Sequence, residues 1–406
     1  MGNVRARRRR TIGVFICVIF LAPLAWVQAA PPAASNFSLL KDAAESIAAG
    51  NLQVAENELQ AVLRTSPSEY RALNLLGIVR AQQNRQLEAE QLFKQAIKLK
   101  PDFVSAHVDL GLLYSQSNRS DDAVAELQKA LRLDPSRTDA RSALVEIVRA
   151  QAAAAVHAQN SEKALALLIQ ARKLGPHDPD VLYDFGMVTL QRSLFYDAIQ
   201  AFQELLAIKP ADPAATYALG RAQMGAAKFD QAKDTFENYL RLRPEDASGH
   251  YALGFVLESL QQTSSAYSQF EKSIAIQPVQ TESYFQLGMM DLDQSKLDSA
   301  ADRFNRVLER DPKHAGALTG LGRVKFQQKD YAEASALLQR AVATDTSVRQ
   351  AHYYLGLTYA RLGRKDESEK ELQIASQLEH SEVEKQQTGL RLEMDDTAAP
   401  DSGQPK

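Results

Sequence analysis

The 406-residue sequence holds a single cysteine, Cys17, inside an apolar run near its start. The body therefore has no thiol for a disulfide framework, a thiolate zinc site or a cysteine nucleophile. Aromatics are sparse, at 7%. Basic blocks are missing beyond the first ten residues, where Arg5, Arg7, Arg8, Arg9 and Arg10 stand without an acid. Without residues 1–29 the balance is 42 Lys and Arg against 50 Asp and Glu. A mildly acidic body with dispersed cations lacks the clustered charge that phosphate contacts need, so no nucleic-acid partner is expected. HExxH, GxSxG and GxxxxGKS/T are absent, and no GxGxxG follows a strand pattern. The seven histidines do not cluster. The acids are scattered at helical spacing from basic residues, as on solvated helix faces. No catalytic residue, cofactor or metal ligand is expected, and the chain does not read as an enzyme.

One long apolar stretch is present. The start reads MGNVRARRRR, then TIGVFICVIFLAPLAWV, then QAAPPAAS. A basic segment, an apolar segment and a small-residue exit make an export signal over 1–29, with 30–35 as a linker. Val27 and Ala29 fit a cleavage site before Ala30. The rival reading is an uncleaved anchor over residues 11–30 with its arginines in the cytoplasm. Pro23 interrupts that stretch, and it falls slightly short of the roughly 20 residues a span needs. Either reading puts the body outside the cytoplasmic membrane, in the periplasm or cell envelope or secreted. Membrane contact is expected only if the segment stays uncleaved.

The rest of the chain is periodic. Pro67, Pro101 and Pro135 are spaced by one period, and so are Pro176, Pro210, Pro244, Pro278 and Pro312. Gly77, Gly111, Gly186, Gly220, Gly254, Gly288, Gly322 and Gly356 keep the same register. Alanine follows at a fixed interval (Ala89, Ala123, Ala198, Ala232, Ala266, Ala300, Ala334), and then Phe93, Leu127, Phe202, Phe236, Phe270, Phe304, Leu338 and Leu372. Within each period the apolar residues fall three and four apart, which predicts two amphipathic helices. Gly288 and Ala300 would let the pair approach closely, Phe304 would fill the space towards the next pair, and the proline would end the second helix. One pair cannot bury its apolar faces alone, so stacking supplies the partner.

This pattern resembles the tetratricopeptide repeat, a unit of about 34 residues, at its small position 8, alanine 20, aromatic 24 and proline 32. The family's Trp at position 4 is missing; His107, Tyr284 and His352 are among its substitutes, and His107, His250 and His352 read as packing residues there. The resemblance implies an all-α, right-handed α-solenoid of stacked helix–turn–helix repeats. Ten units are counted: four over 36–178 and six over 179–382, with a polar, disordered tail over 383–406. Leu390, Leu392 and Met394 are a weak candidate for an anchor in that tail. The first unit has Ala43 in place of glycine, as suits a terminal cap. The fourth carries seven extra residues around Ala152 to Val156, with Val145 in place of glycine. Seven residues are close to two helical turns. The first helix of that unit is therefore expected to run to about His157, with Asn160 or Ser161 capping the next. A protrusion, a joint between sub-arrays and a docking spur are the readings of this insertion.

In the family, the first helix of each unit lines a groove through positions 2, 5, 9 and 12. The resemblance thereby implies a ladder of candidate partner-binding residues: Tyr183, Tyr217, Tyr251, Phe285, Thr319 and Tyr353 at position 5, Met187, Arg221, Phe255, Met289, Arg323 and Leu357 at position 9, and Leu190, Met224, Leu292 and Phe326 at position 12. Aromatics, Met and Arg are enriched where proteins bind partners. Tyr at position 5 is common in the family, so inherited packing is the competing reading. Asn74, Ile78, Val108 and Leu112 lack the ladder, which places the site in 179–382. The carboxylate clamp of chaperone-tail binders is not assembled, since position 6 reads Asp109, Asp184, Ala218, Ala252, Gln286, Gly320 and Tyr354. The expectation is an exported, non-catalytic scaffold for a protein or peptide partner. The alternative is a subunit of an envelope machine for polysaccharide export or outer-membrane assembly.

Overall fold

The computed structural model describes residues 32–397. The signal segment, its cleavage site, Cys17 and residues 398–406 lie outside the described residues, as do the side chains of Leu390, Leu392 and Met394. Two compact units divide the chain, residues 1–144 and 145–406. The first contains α1 (Pro32–Ala48), α2 (Leu52–Thr65), α3 (Tyr70–Gln82), α4 (Gln86–Leu99), α5 (Val104–Gln116), α6 (Ser120–Leu133) and the start of α7 (Thr138–His157). The second holds the rest of α7, then α8 (Ser161–Leu174), α9 (Pro179–Gln191), α10 (Phe195–Ile208), α11 (Pro213–Gly225), α12 (Phe229–Leu242), α13 (Ala247–Ser259), α14 (Thr263–Ile276), α15 (Thr281–Asp293), α16 (Leu297–Leu308), α17 (Ala315–Gln327), α18 (Tyr331–Thr344), α19 (Arg349–Arg361) and α20 (Lys365–Thr397). Every regular element among the described residues is a helix. Each unit is a solenoid stack of helix–turn–helix pairs, such as α3–α4 and α13–α14, in which each pair also packs on the next.

The period's glycine and aromatic form one contact. A Cβ on Gly288 would stand 2.7 Å from the Phe304 ring, and one on Gly320 of the next pair 2.4 Å from it. Phe304, fully buried, thus lodges between its own pair and its neighbour. The glycine's missing side chain is replaced by a ring rather than by closer backbones, a refinement of the close-approach expectation. Second helices end as the prolines require. Lys100, Asp134, Lys209, Arg243 and Gln277, each before a proline, have φ between −123° and −141° with positive ψ, the extended region that a following proline favours. Asp345 keeps that conformation at φ −143° although Thr346 stands where the proline would be.

Between the two helices of each pair lies a left-handed residue that the sequence pattern does not betray. Glycine fills it at Gly50 and Gly363, but Asn84, Asn118, Gln159, Ser193, Ala227, Gln261, Ser295 and Lys329 occupy it elsewhere with φ between 55° and 64°. The three position-4 histidines also have a common role. His107 meets Glu126 at 2.6 Å and the Pro101 carbonyl at 3.0 Å; His250 meets Gln269 and the Pro244 carbonyl; His352 meets Glu371 and the Thr346 carbonyl. Both ring nitrogens are engaged by the stack itself, which ties the first helix to its own second helix and to the preceding turn.

Three boundaries differ from the sequence expectation. α1 begins at Pro32, inside the expected linker 30–35. α20 runs to Thr397, past residue 383, where a disordered tail is expected. The division into units falls within α7 rather than at 178/179. The seven-residue insertion does lengthen a helix: α7 has 20 residues, whereas α9 and α11 have 13 each. It ends at His157, and Asn160 caps α8 by accepting the Lys163 N–H at 3.0 Å.

Candidate functional site

Two added turns leave a helix face nearly in phase, because seven residues fall about 20° short of two full turns. α7 therefore carries two registers. Its second half pairs with α8 and α9, with Ala152 and Ala155 buried against Ala164, Leu168, Phe185 and Val188. Ala164 and Leu168 are the period's alanine and aromatic, so the place of the period's glycine is held by Ala152, not by Val145. Counting from Ala152 puts Arg149, Ala153 and Val156 at positions 5, 9 and 12. The ladder thus extends back into α7, which counting forward from the preceding proline hides.

On the first-helix face of the second unit, α9 touches α11, α11 touches α13, α15 touches α17 and α17 touches α19. Most ladder residues sit half-buried there. Their rings are shared with the core. Tyr183 packs edge-on to Phe202 at 6.1 Å; Tyr217 lies 5.6 Å from Phe236 and 5.1 Å from Tyr239; Tyr251 is 5.8 Å from Phe270, and Phe285 is 6.1 Å from Phe304. Burial pushes the Tyr217 and Tyr251 phenols above the usual tyrosine range. Tyr239 is pushed to about 12 by burial and by its bond to Asp246. Met187, Phe255 and Met289 flank the same clusters. Ladder and packing are accordingly one layer, and cutting these rings back would cost stability as well as surface. Tyr353 is the most open, at 44% exposure.

Two positions are drawn deeper than the rings. Leu292 is buried in the core. Thr319 is buried with its hydroxyl donating to the Ala315 carbonyl. Arg323 is nearly enclosed over the Tyr354 ring at 5.1 Å, with Asp293 at 3.6 Å and its Nε without a hydrogen-bond acceptor. Phe326 packs between Tyr331 and Tyr354.

Two of the cavities among the described residues open on this face. One, of about 460 Å³, lies among α7, α9 and α11 and includes Ala153, Val156, Tyr183, Met187, Leu190 and Arg221 in its lining. The other, of about 330 Å³, is bounded by Phe285, Met289, Gly316, Arg323 and Val348, among others. In the first unit a cavity of about 370 Å³ is lined differently, by Ile78, Gln82, Asp109, Leu112 and Gln116 among others. There Asn74 donates to Asp109 at 2.6 Å, and burial, opposed by that bond, raises the Asp109 carboxyl to about 6. Among the described residues no group of His, Cys, Asp and Glu is arranged to hold a metal ion. No described helix is long and apolar enough to cross a membrane.

Two family models described as tetratricopeptide repeat match the chain. One matches residues 80–147, 189–254 and 291–355, the other 45–103 and 149–213, together well over half its length. No curated protein sequence matches it. Among solved structures, it is similar to YrrB, described as a TPR protein with an unusual peptide-binding site: 25% identity, 45% of this chain and 95% of that one, TM-score 0.38. It is also similar to MamA from Desulfovibrio magneticus RS-1, at 21% identity over 42% of this chain and 96% of that one, TM-score 0.40. A longer likeness is to the APC/C hetero-tetramer Cut9–Hcn1, at 12% identity over 84% and 94%, TM-score 0.43.

Proposed function

Since the chain belongs to the tetratricopeptide-repeat family, whose members are typically non-catalytic scaffolds, we propose that it holds a protein or peptide partner on the first-helix face of its second unit. In this reading it has ten repeats and no catalytic role. The observation that carries it is the layer from Tyr183 to Tyr353. Rings seated on Phe202, Phe236, Phe270 and Phe304 keep part of their surface open and are held rigid at low entropic cost, as hot-spot aromatics are. Met187 and Met289 add adaptable apolar contact. Arg221, exposed beside them, supplies charge.

Exchange of Tyr217 and Tyr251 for Leu keeps apolar bulk under the core while removing the ring surface. Paired affinity capture from native extract, full chain against this double variant and against Arg221→Glu, tests the reading. A partner held by the full chain and lost by both variants, with helical circular dichroism unchanged, is the expected result. A partner retained by both removes the proposal. We also propose export of the body, which the Arg-rich start and Val27-Gln28-Ala29 support; the native protein should then begin at Ala30, and an intact Met1 on a cytoplasmic protein contradicts it.

A further inference from the structure

The cavity beside the lengthened helix lies at the start of the ladder. Its far wall is Ala152, Ala153, Val156 and His157, the last turns of α7, facing Tyr183, Met187 and Leu190 of α9. Counted from Ala152, these residues stand in the ordinary first-helix register of the repeat. The lining is mainly apolar, and its size falls within the range of about 300–1,000 Å³ typical of ligand pockets. Two arginines stand at its edge in opposite conditions. Arg149 is committed, with Asp184 at 2.9 Å, Asp180 at 3.3 Å and Glu146 at 3.4 Å. Arg221 is exposed and has no ion-pair or hydrogen-bond partner among the described residues. Resting on the partner-binding reading above, we propose that this cavity receives a bulky apolar side chain, Leu or Phe, of a peptide segment that carries a carboxylate within a few residues of it. The apolar group gains by leaving water. The carboxylate gains a planar guanidinium fork that is unpaired among the described residues. A basic residue at that place would meet Arg221 unshielded.

The probe is a set of fluorescent nine-residue peptides in which one central residue is Leu, Phe, Ala or Lys and a flanking residue is Asp or Lys, titrated against the full chain by polarisation. The expected order places Leu or Phe with Asp at least tenfold tighter than Ala with Asp, and tighter than the same anchor with Lys. Ala153 is exposed and helical, so Ala153→Trp fills the cavity without touching the core. It should weaken the tight peptides at least tenfold, and Arg221→Glu should reverse the Asp-over-Lys preference. Peptides that bind, lose affinity in the Tyr217→Leu/Tyr251→Leu variant and ignore Ala153→Trp overturn the anchor site while leaving the broader reading standing. Absence of binding by every peptide overturns both.

Discussion

The eleventh position of the repeat holds Arg80 in the first unit and Asp291 in the second, and the two buried charges fare differently. Arg80, 8% exposed, forms two bonds to Glu56 at 2.6 and 2.7 Å and also reaches Gln83 and Glu88. The hydrogen bonds from Arg80 hold the Glu56 carboxyl at about 2, against the cost of burial. Asp291, with no exposure, has neither carboxylate oxygen hydrogen-bonded; its cation is Arg303 Nε at 3.8 Å, and Arg303 also serves Glu271. A buried ion pair stabilises when its geometry is good and its remaining polar atoms are met; otherwise desolvation wins. The same slot between helices is therefore a lock in one unit and a strain in the other, while the adjoining repeat fills it with Leu257.

That contrast predicts opposite signs. Arg80→Met should destabilise the first unit most, by about 3 kcal/mol, since it strands Glu56. Repeats couple mainly to neighbours, so hydrogen exchange should rise in 52–116 while 213–361 stays protected; uniform loss would break the unit-by-unit picture. Asp291→Leu should stabilise the second unit by about 1–2 kcal/mol, read as slowed exchange in 263–327. A loss of protection there would mean that Arg303 depends on Asp291 after all.

The first unit should also respond to pH in two directions. Asp109 has a folded value of about 6, above its ordinary 3.8. Its stabilising contribution is complete below 3.8 and lost as pH rises through 6. Glu56, at about 2 against an ordinary 4.5, contributes above 4.5 and loses that contribution as pH falls towards 2. Protection of α3–α5, corrected for intrinsic exchange rates, should therefore peak near pH 4. Asp109→Asn should erase the decline between about pH 4 and 6 without altering the acid limb. A decline that survives the substitution contradicts the assignment. The smallest effect is expected at Ala227, held at φ 55°. Ala227→Gly should raise stability by about 0.5 kcal/mol, since relief of the left-handed strain outweighs glycine's added chain entropy. No gain would place the cost of that turn elsewhere.

The repeat was legible because its physics is local. Gly288 and Phe304 recur at fixed spacing since one fills the other's vacancy, and α7 ends at His157 because seven residues preserve phase. Asn160 caps as its residue type suggests. What escaped is set by relations that the period does not print. The left-handed turn is invisible because Ser, Ala, Gln and Lys occupy it. The glycine place of the fourth repeat passes to Ala152 because packing against α8, not distance from Pro135, decides the register. The groove positions give residue type without depth: Leu292 and Thr319 share the ladder's spacing with Tyr251, yet the core takes them in.

The central claim is that partners engage the first-helix face of the second unit. A photo-crosslinking benzoyl-phenylalanine at position 251, compared with one at the 69%-exposed Tyr196 of α10, tests it directly in the producing cells. The account predicts a discrete crosslinked species from position 251 and none from 196. A species formed only from 196 would move the binding surface to the second helices and contradict it.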